Sequence, residues 1–97
     1  MDIVFRLQDI EFEWNDRKAR INIRKHGVAF EEAAEAFFDP FRREGDATVD
    51  DEQREFVLGY SLSNRLLLVV HVERGNRIRI ISARSAIRSE RMEYEEK

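Results

Sequence analysis

The second half of the chain carries the alternation of apolar and polar residues that predicts β-strands. Three segments rich in β-branched and other apolar residues follow one another, at 54–61, 66–72 and 77–82. The turns Ser63-Asn64 and Gly75-Asn76 are short enough to make both connections antiparallel hairpins. The middle segment is apolar on both faces over 66–70, which predicts a central strand with helices covering one side of the sheet.

In the first half of the chain, the apolar residues recur mainly at the spacing of α-helices. Residues 12–14 predict a short strand or extended entry, and Asn15 is a good N-cap for a helix over 16–26 that Gly27 ends. A second helix over 30–38 places phenylalanines and alanines three and four residues apart. We therefore expect the apolar face of the second helix to join the core.

The remaining segments complete a single α+β domain over 1–97. A short strand near 41–44, an acidic loop over 46–53 and a last helix over 86–95 follow from the same patterns. The predicted order is a short strand, two helices, an antiparallel sheet of three to four strands and a C-terminal helix. Segment 1–11 precedes this layout, and three interpretations stay open for it: an edge strand, a partner contact or a tail.

Composition excludes several classes of protein. The chain contains no cysteine, which excludes disulfides, zinc-thiolate sites and thiol catalysis. No apolar run approaches the ~20 residues of a membrane span, and the first residues do not resemble a signal peptide. We expect a cytoplasmic protein that makes no membrane contact.

Charge is distributed unevenly along the chain, although the net charge is only -3. Residues 1–53 carry 8 basic and 14 acidic side chains, whereas residues 74–91 carry six arginines against one acid, Glu90. A second basic cluster lies in the first predicted helix, over 17–25. Two basic stripes on an acidic background favour a groove that binds an anion.

The side chains available for chemistry do not favour a metal site or a hydrolase that works by acyl transfer. His26 and His71 have no partner at metal-ligand spacing, and His71 lies inside an apolar strand, which is typical of a core histidine. The segment 59–63 lacks the second glycine of a nucleophile elbow. The remaining arginine, lysine, histidine, glutamate and tyrosine groups suit RNA cleavage, because the 2′-hydroxyl of RNA can itself be the nucleophile.

Several short motifs follow one another in order along the chain. They are Phe12-Glu13-Trp14, Lys25-His26-Gly27-Val28, Phe30-Glu31-Glu32-Ala33 and Arg77-Ile78-Arg79-Ile80-Ile81-Ser82-Ala83-Arg84, followed by Glu90, Arg91 and Tyr94. On these motifs, over roughly residues 12–95, the chain resembles the BrnT family of type II toxins. The segment 1–11 lies outside this core.

The resemblance implies a RelE/ParE-like fold and a metal-independent endoribonuclease, without cofactor, that arrests growth by cutting RNA. It also implies a BrnA-type antitoxin that neutralises the toxin, in a complex expected to be 2:2. DNA contact is implied only for the ribbon-helix-helix domain of that antitoxin. The chain departs from the family pattern at three places: Asn15-Asp16 follow the tryptophan where Asp-Pro is usual, and Ala29 precedes the second helix where a serine or threonine is usual. The third is Ile87, which stands where a threonine is expected to form a capping box with Glu90. We expect Ser85 to cap the last helix instead, which would leave Glu90 free for another role.

These observations lead to a hypothesis for the site. The catalytic candidates are Lys25, His26, Arg54, Arg79, Arg84 and Glu90, and the RNA-binding candidates are Arg77, Arg88, Arg91 and Tyr94. Arg84, with Arg54 and Arg79, is expected to clamp the scissile phosphate. Lys25 or His26 would hold or protonate the leaving oxygen, Glu90 would act as base, and Tyr94 would stack on a nucleobase. No metal ligand is expected.

Structural interpretations stand beside the functional ones. Lys25 and His26 can simply stabilise the negative end of a helix dipole, at ~0.3–1 kcal/mol. Arg54 can simply pair with Glu52 or Glu55. A second function, from a different class, is also open: a catalytically inactive binding module that serves as antitoxin partner or co-repressor.

Overall fold

The computed structural model describes residues 1–96, and it confirms the predicted α+β class. The elements in chain order are β1 (Asp2–Leu7), β2 (Ile10–Asn15), α1 (Asp16–His26), α2 (Phe30–Glu35), a 3-10 turn (Ala36–Phe38), β3 (Arg43–Asp46), β4 (Glu55–Tyr60), β5 (Leu66–Arg74), β6 (Arg77–Ser85) and α3 (Arg88–Glu95). Every predicted helix and strand is present, with ends shifted by a few residues. The second predicted helix tightens into the 3-10 turn over its last three residues.

The sheet is larger than predicted. It has six strands in the order β1-β2-β6-β5-β4-β3, and β2 runs parallel to β6. The prediction of an antiparallel sheet of three to four strands is correct for β3 to β6. It is wrong in the number of strands, because the segment 1–11 also folds into the sheet. It forms the edge strand β1 and the start of β2, which pair antiparallel with each other.

Local sequence explains how α1 begins and ends. The side chain of Asn15 accepts a hydrogen bond of 3.0 Å from the backbone N–H of Lys18, as an N-cap does. Gly27 ends the helix in the left-handed region, with φ of 69°, and its N–H donates to the carbonyl of Ile23. The end of α1 is therefore fixed, and Lys25 and His26 occupy its last turn.

The packed face of the sheet holds the core. Phe12 and Trp14 of β2 lie against α2 and the 3-10 turn, and Trp14 meets Phe30 edge-on with ring centres 5.7 Å apart. His71 of β5 is buried on this face, against the ring of Phe37 at 4.8 Å. Burial lowers the pKa of His71, in agreement with its interpretation as a core histidine.

The opposite side, here called the open face, carries the arginines of β6. Alternation along β4, β5 and β6 groups its side chains in cross-strand rows, and two of these rows are Phe56–Val70–Ser82 and Leu58–Leu68–Arg84. Ile81 is an extra, unpaired residue, since Val70 pairs with Ser82 and His71 pairs with Ile80. This β-bulge shifts the alternation of β6, so that Ser82 and Arg84 point to the open face.

Candidate active site

Asn22 joins α1 to β6. Its side chain is buried and donates to the carbonyls of Val28, at 2.9 Å, and Ala83, at 2.8 Å. It also accepts a hydrogen bond of 3.2 Å from the N–H of Ala83. The asparagine thus pairs with both backbone groups of Ala83 as a neighbouring strand would, at the edge of β6 beyond the end of β2. This contact positions the last turn of α1 beside the open face.

A cleft of about 340 Å³ lies between α1 and the sheet, and is called the α1–β6 cleft below. It is lined by Lys18, Ile21, Asn22, Lys25, His26, Arg54, Ile81 and Ser82. Three of the predicted catalytic residues, Lys25, His26 and Arg54, therefore meet in one place. They come from the end of α1 and from the residue that precedes β4.

The cations of the α1–β6 cleft are largely without carboxylate partners. Within residues 1–96, no carboxylate oxygen lies within 4 Å of Lys18, Lys25 or His26. Arg54 does pair with Glu52 at 2.6 Å, as one structural interpretation predicted, but 68% of the Glu52 side chain is exposed. Exposed pairs of this kind contribute little energy, so the pair leaves Arg54 able to meet another anion.

Two arginines of β6 are matched by acids of the N-terminal hairpin. Arg79 donates to Glu13 at 2.8 Å and to Asp2 at 3.1 Å, and Arg77 donates to Glu11 at 3.0 Å. The Arg79 hydrogen bond lowers the pKa of Asp2, and Arg77 lowers that of Glu11. The local excess of arginine is therefore balanced by acids 66 and 77 positions away in sequence, a match that the sequence pattern did not predict.

Arg84 is held by Glu90. The guanidinium donates two hydrogen bonds, of 2.9 and 2.8 Å, to the two carboxylate oxygens. Glu90 also accepts a 3.0 Å bond from the N–H of Ile87, the N-cap of α3. The Arg84 hydrogen bonds, and then the Ile87 N–H, lower the pKa of Glu90. The expectation that Ser85 caps α3 and leaves Glu90 free is wrong, because Glu90 supplies its half of a capping box without a threonine.

The RNA-binding candidates on α3 differ in their contacts. Tyr94 donates a 2.5 Å hydrogen bond to Asp39 and lies edge-on to Tyr60 at 5.3 Å. Burial, and then this bond, raise the pKa of Tyr94 to about 12. Arg91 reaches the hydroxyl of Tyr60 at 3.3 Å, whereas Arg88 is exposed at the start of the helix. Tyr94 thus ties α3 to the body of the protein.

A half-buried acidic residue, Glu32, joins several elements, and the sequence did not single it out. Glu32 accepts hydrogen bonds from Ser61 and Ser63, at 2.8 and 2.7 Å, and from Arg65, which also donates to the carbonyl of Gly27 at 3.0 Å. The Arg65 hydrogen bonds are the largest cause that lowers the pKa of Glu32 to about 2. Through these contacts Glu32 joins α2, the β4–β5 turn and the end of α1. The only signal for it in the sequence was an arginine in a turn, which resembles many solvated arginines.

Among residues 1–96, no three histidine, aspartate or glutamate side chains converge in a way that could hold a metal ion. No helix over the same residues has the length and apolar character that crossing a membrane requires. The candidate site consists of protein side chains with cationic character, which is the kind of surface that binds phosphate.

Fold and site together define a small α+β protein with a six-stranded sheet and a cationic cleft at the end of a helix. Comparison with protein families gives the next step: the family described as "Ribonuclease toxin, BrnT, of type II toxin-antitoxin system" matches residues 14–90. The chain therefore belongs to the BrnT family of type II toxins. The matched region begins within β2, so β1 lies outside it.

A solved structure has the same fold. The crystal structure of the Brucella abortus ribonuclease toxin, BrnT, determined at 1.1 Å resolution, superposes with a TM-score of 0.62 at 23% sequence identity. The match covers 77% of this chain and 94% of the Brucella chain. No curated protein matches the sequence. The family and the fold rest on these two findings, and the site geometry rests on the chain itself.

Proposed function

We propose that this toxin is a metal-independent endoribonuclease that cuts RNA in the α1–β6 cleft. The observation that carries the proposal is the convergence of Lys25, His26 and Arg54 in one cleft. A phosphodiester fits such a site because lysine and arginine stabilise negative charge that develops on phosphate oxygens. An imidazole beside them can act as general acid and base.

The proposed reaction uses the 2′-hydroxyl of the substrate. Its oxygen attacks the adjacent phosphorus while His26 accepts the hydroxyl proton. The bond from phosphorus to the 5′-oxygen breaks, that oxygen takes a proton held by Lys25, and the products carry a 2′,3′-cyclic phosphate and a 5′-hydroxyl. Arg54 neutralises the charge on the non-bridging oxygens in the transition state. RNA is required, because DNA lacks the nucleophile.

The roles of the remaining candidates change in the light of their contacts. Arg84 lies two residues beyond Ser82 on the same face, roughly 6–7 Å along the strand. Glu90 accepts from its two terminal nitrogens, so its Nε–H can meet the neighbouring phosphate, with less net attraction than an unpaired arginine would give. Glu90, which is kept ionised by Arg84, orients that guanidinium rather than acting as base. Arg77 and Arg79 hold the N-terminal hairpin.

Three residues of α3 keep their place in the RNA-binding proposal. The exposed Arg88 and Arg91 extend the cationic path along this helix. Tyr94 takes part by fixing α3 rather than by stacking, since its hydroxyl and ring already have partners.

The partner is proposed from the family. A type II toxin has a protein antitoxin, and we propose a BrnA-type antitoxin with a ribbon-helix-helix DNA-binding domain, in a 2:2 complex in the cytoplasm. Only the antitoxin would contact DNA. Occlusion of the α1–β6 cleft by the bound antitoxin explains how neutralisation would work.

The test is cleavage of a single-stranded RNA by the purified chain in excess EDTA, with and without the antitoxin. We expect cleavage with a cyclic-phosphate product, inhibition by the antitoxin, and on the order of 10²-fold loss or more in Lys25→Ala, His26→Gln and Arg54→Ala. Arg17→Ala is the matched control, because Arg17 is an exposed cation of α1 outside the cleft.

Other outcomes would refute the proposal. Intact RNA together with tight antitoxin binding would support the inactive binding module, and cleavage that needs an added divalent ion would refute the metal-independent mechanism. Loss of cleavage in Arg17→Ala equal to that in Lys25→Ala would show that general positive charge, rather than the cleft, matters.

A further inference from the structure

The two edges of the sheet differ in how well they are protected against pairing with another strand. Strand β3 has four residues, Arg43–Asp46, of which three are charged and one is glycine, and these are features that discourage edge-to-edge pairing. Strand β1 has six residues, Asp2–Leu7, with no proline and no glycine. Its outer edge is the free end of the strand order, so its outward backbone groups have no partner strand within residues 1–96.

The side chains of β1 alternate strictly. Ile3 and Phe5 lie on the packed face against the core, and Phe5 meets Trp14 at 5.6 Å. The opposite face carries Asp2, Val4 and Arg6, and 49% of Val4 is exposed. An acid and a base thus lie two residues to either side of an exposed valine.

We propose that the outer edge of β1 pairs antiparallel with β1 of a second copy of this chain. A two-fold axis at Val4 places Asp2 opposite Arg6 of the second copy, and Arg6 opposite Asp2 of the second copy. Val4 then meets its own copy, and Ile3 meets Phe5 of the second copy. Opposite charges at both ends and apolar contacts between them make the edge complementary to itself, as a closed two-fold interface requires.

The pairing extends contacts that each chain already makes. Asp2 holds Arg79 and Arg6 holds Glu11, so the new ion pairs join two networks on the open face. The two sheets become one continuous sheet of twelve strands. Because only one short strand from each copy takes part, the interface is smaller than those of stable dimers, and we expect a weak, reversible dimer. The surface lies outside the residues that match the family, so the dimer is expected only in chains with this N-terminal strand.

Charge exchange tests the register. Sedimentation velocity of the purified chain over a series of concentrations should show a monomer–dimer equilibrium. Asp2→Arg or Arg6→Asp alone places like charges opposite each other twice, and should raise the dimer dissociation constant on the order of tenfold or more. The double variant should restore dimerisation, although it still lacks the Asp2–Arg79 contact. Arg20→Asp on α1 makes the same change in charge as Arg6→Asp and should have no effect.

A cysteine provides a second, independent readout, because the chain has none. Val4→Cys places two thiols across the axis at a distance compatible with a disulfide, so oxidised glutathione should link the chains rapidly at protein concentrations at which sedimentation shows the dimer. Leu62→Cys, an exposed control elsewhere, should link slowly. A chain that is monomeric at every concentration, single variants that dimerise like the wild type, or a double variant that stays monomeric would each overturn the proposal. Protection of β1 only in the presence of the antitoxin would assign the edge to that partner instead.

Discussion

Replacing Asn22 by alanine tests whether one buried side chain holds α1 against β6. The substitution leaves three backbone groups without their partner: the N–H and carbonyl of Ala83 and the carbonyl of Val28. A hydrogen bond of this kind contributes about 0.5–1.5 kcal/mol, so three of them predict a loss of about 3 kcal/mol in the free energy of unfolding. For a domain of this size, such a loss lowers Tm by roughly 12–24 °C.

The assay is urea unfolding followed by circular dichroism, with thermal unfolding as a second measure. Asn76→Ala is the matched control, because Asn76 is exposed in the β5–β6 turn and should change stability by less than about 0.5 kcal/mol. A loss below about 1 kcal/mol for Asn22→Ala would refute the reasoning, since it would mean that water satisfies the exposed groups.

Asn22→Asp sharpens the same prediction by its pH dependence. Aspartate keeps the acceptor for the Ala83 N–H but sets an oxygen against two carbonyls. Its burial favours the neutral acid, so the folded-state pKa should exceed the unfolded value near 3.9. The destabilisation is therefore smallest below that value and grows as the pH rises through the folded pKa. An Asn22→Asp variant that is equally destabilised at pH 3.5 and pH 7 would contradict this account.

Three further predictions concern the contacts around the site. The pKa of Glu32 is about 2 in the folded protein, below its ordinary 4.5, so its ionised form stabilises the fold above pH 4.5 by about 2–3 kcal/mol, after allowance for the exposure of Arg65. This contribution is lost as the pH falls toward 2. In Glu32→Gln, the free energy of unfolding measured in urea should therefore change little with pH over that range. Gly27→Ala should cost about 1–2 kcal/mol, because φ of 69° disfavours a Cβ, and Gly27→Asn should cost less. Tyr94→Phe should lose about 1 kcal/mol with the Asp39 bond, measured by thermal unfolding, while RNA affinity is retained.

Each of these predictions has a control or a contrary outcome. Glu31→Gln removes an exposed neighbouring carboxylate and should keep the acid slope of the wild type. Equal costs for alanine and asparagine at position 27 would show that backbone conformation is not the cause. A stable Tyr94→Phe variant that binds RNA poorly would favour a direct role for the hydroxyl in RNA contact.

Most of the fold could be predicted because it depends on local signals. Asn15 and Gly27 mark the two ends of α1, and period-two alternation marks β4 to β6. A similar alternation is present in 2–7, where Ile3 and Phe5 alternate with Asp2, Val4 and Arg6, so an edge strand could be considered there. The position of this strand in the sheet could not be predicted. It depends on the parallel pairing of β2 with β6, which joins segments far apart in the chain and has no signal in the local sequence.

The arrangement of the candidate site was less predictable than the fold, because it also depends on contacts between segments far apart in the chain. Lys25, His26 and Arg54 were candidates from the sequence, and they line one cleft, but that cleft depends on Asn22, whose type is common in solvated positions. The bulge at Ile81 also went unpredicted, and it decides which residues of β6 point to the open face. Without the bulge, strict alternation along β6 would place the side chain of Ile81 on the open face, in the position that Ser82 occupies.

A cluster of arginines in a sequence is not yet a positive field in the folded protein. At an ionic strength of 0.1 M, exposed charges are screened over about 10 Å, so a carboxylate at hydrogen-bond distance outweighs more distant cations. Arg79, with Glu13 and Asp2 at about 3 Å, therefore offers a phosphate little net attraction. The end of α1 keeps its cations without such partners. The arginines of β6 drew attention to this face of the sheet, and the positive field on it that can attract an anion arises chiefly from Lys25 and its neighbours in the α1–β6 cleft.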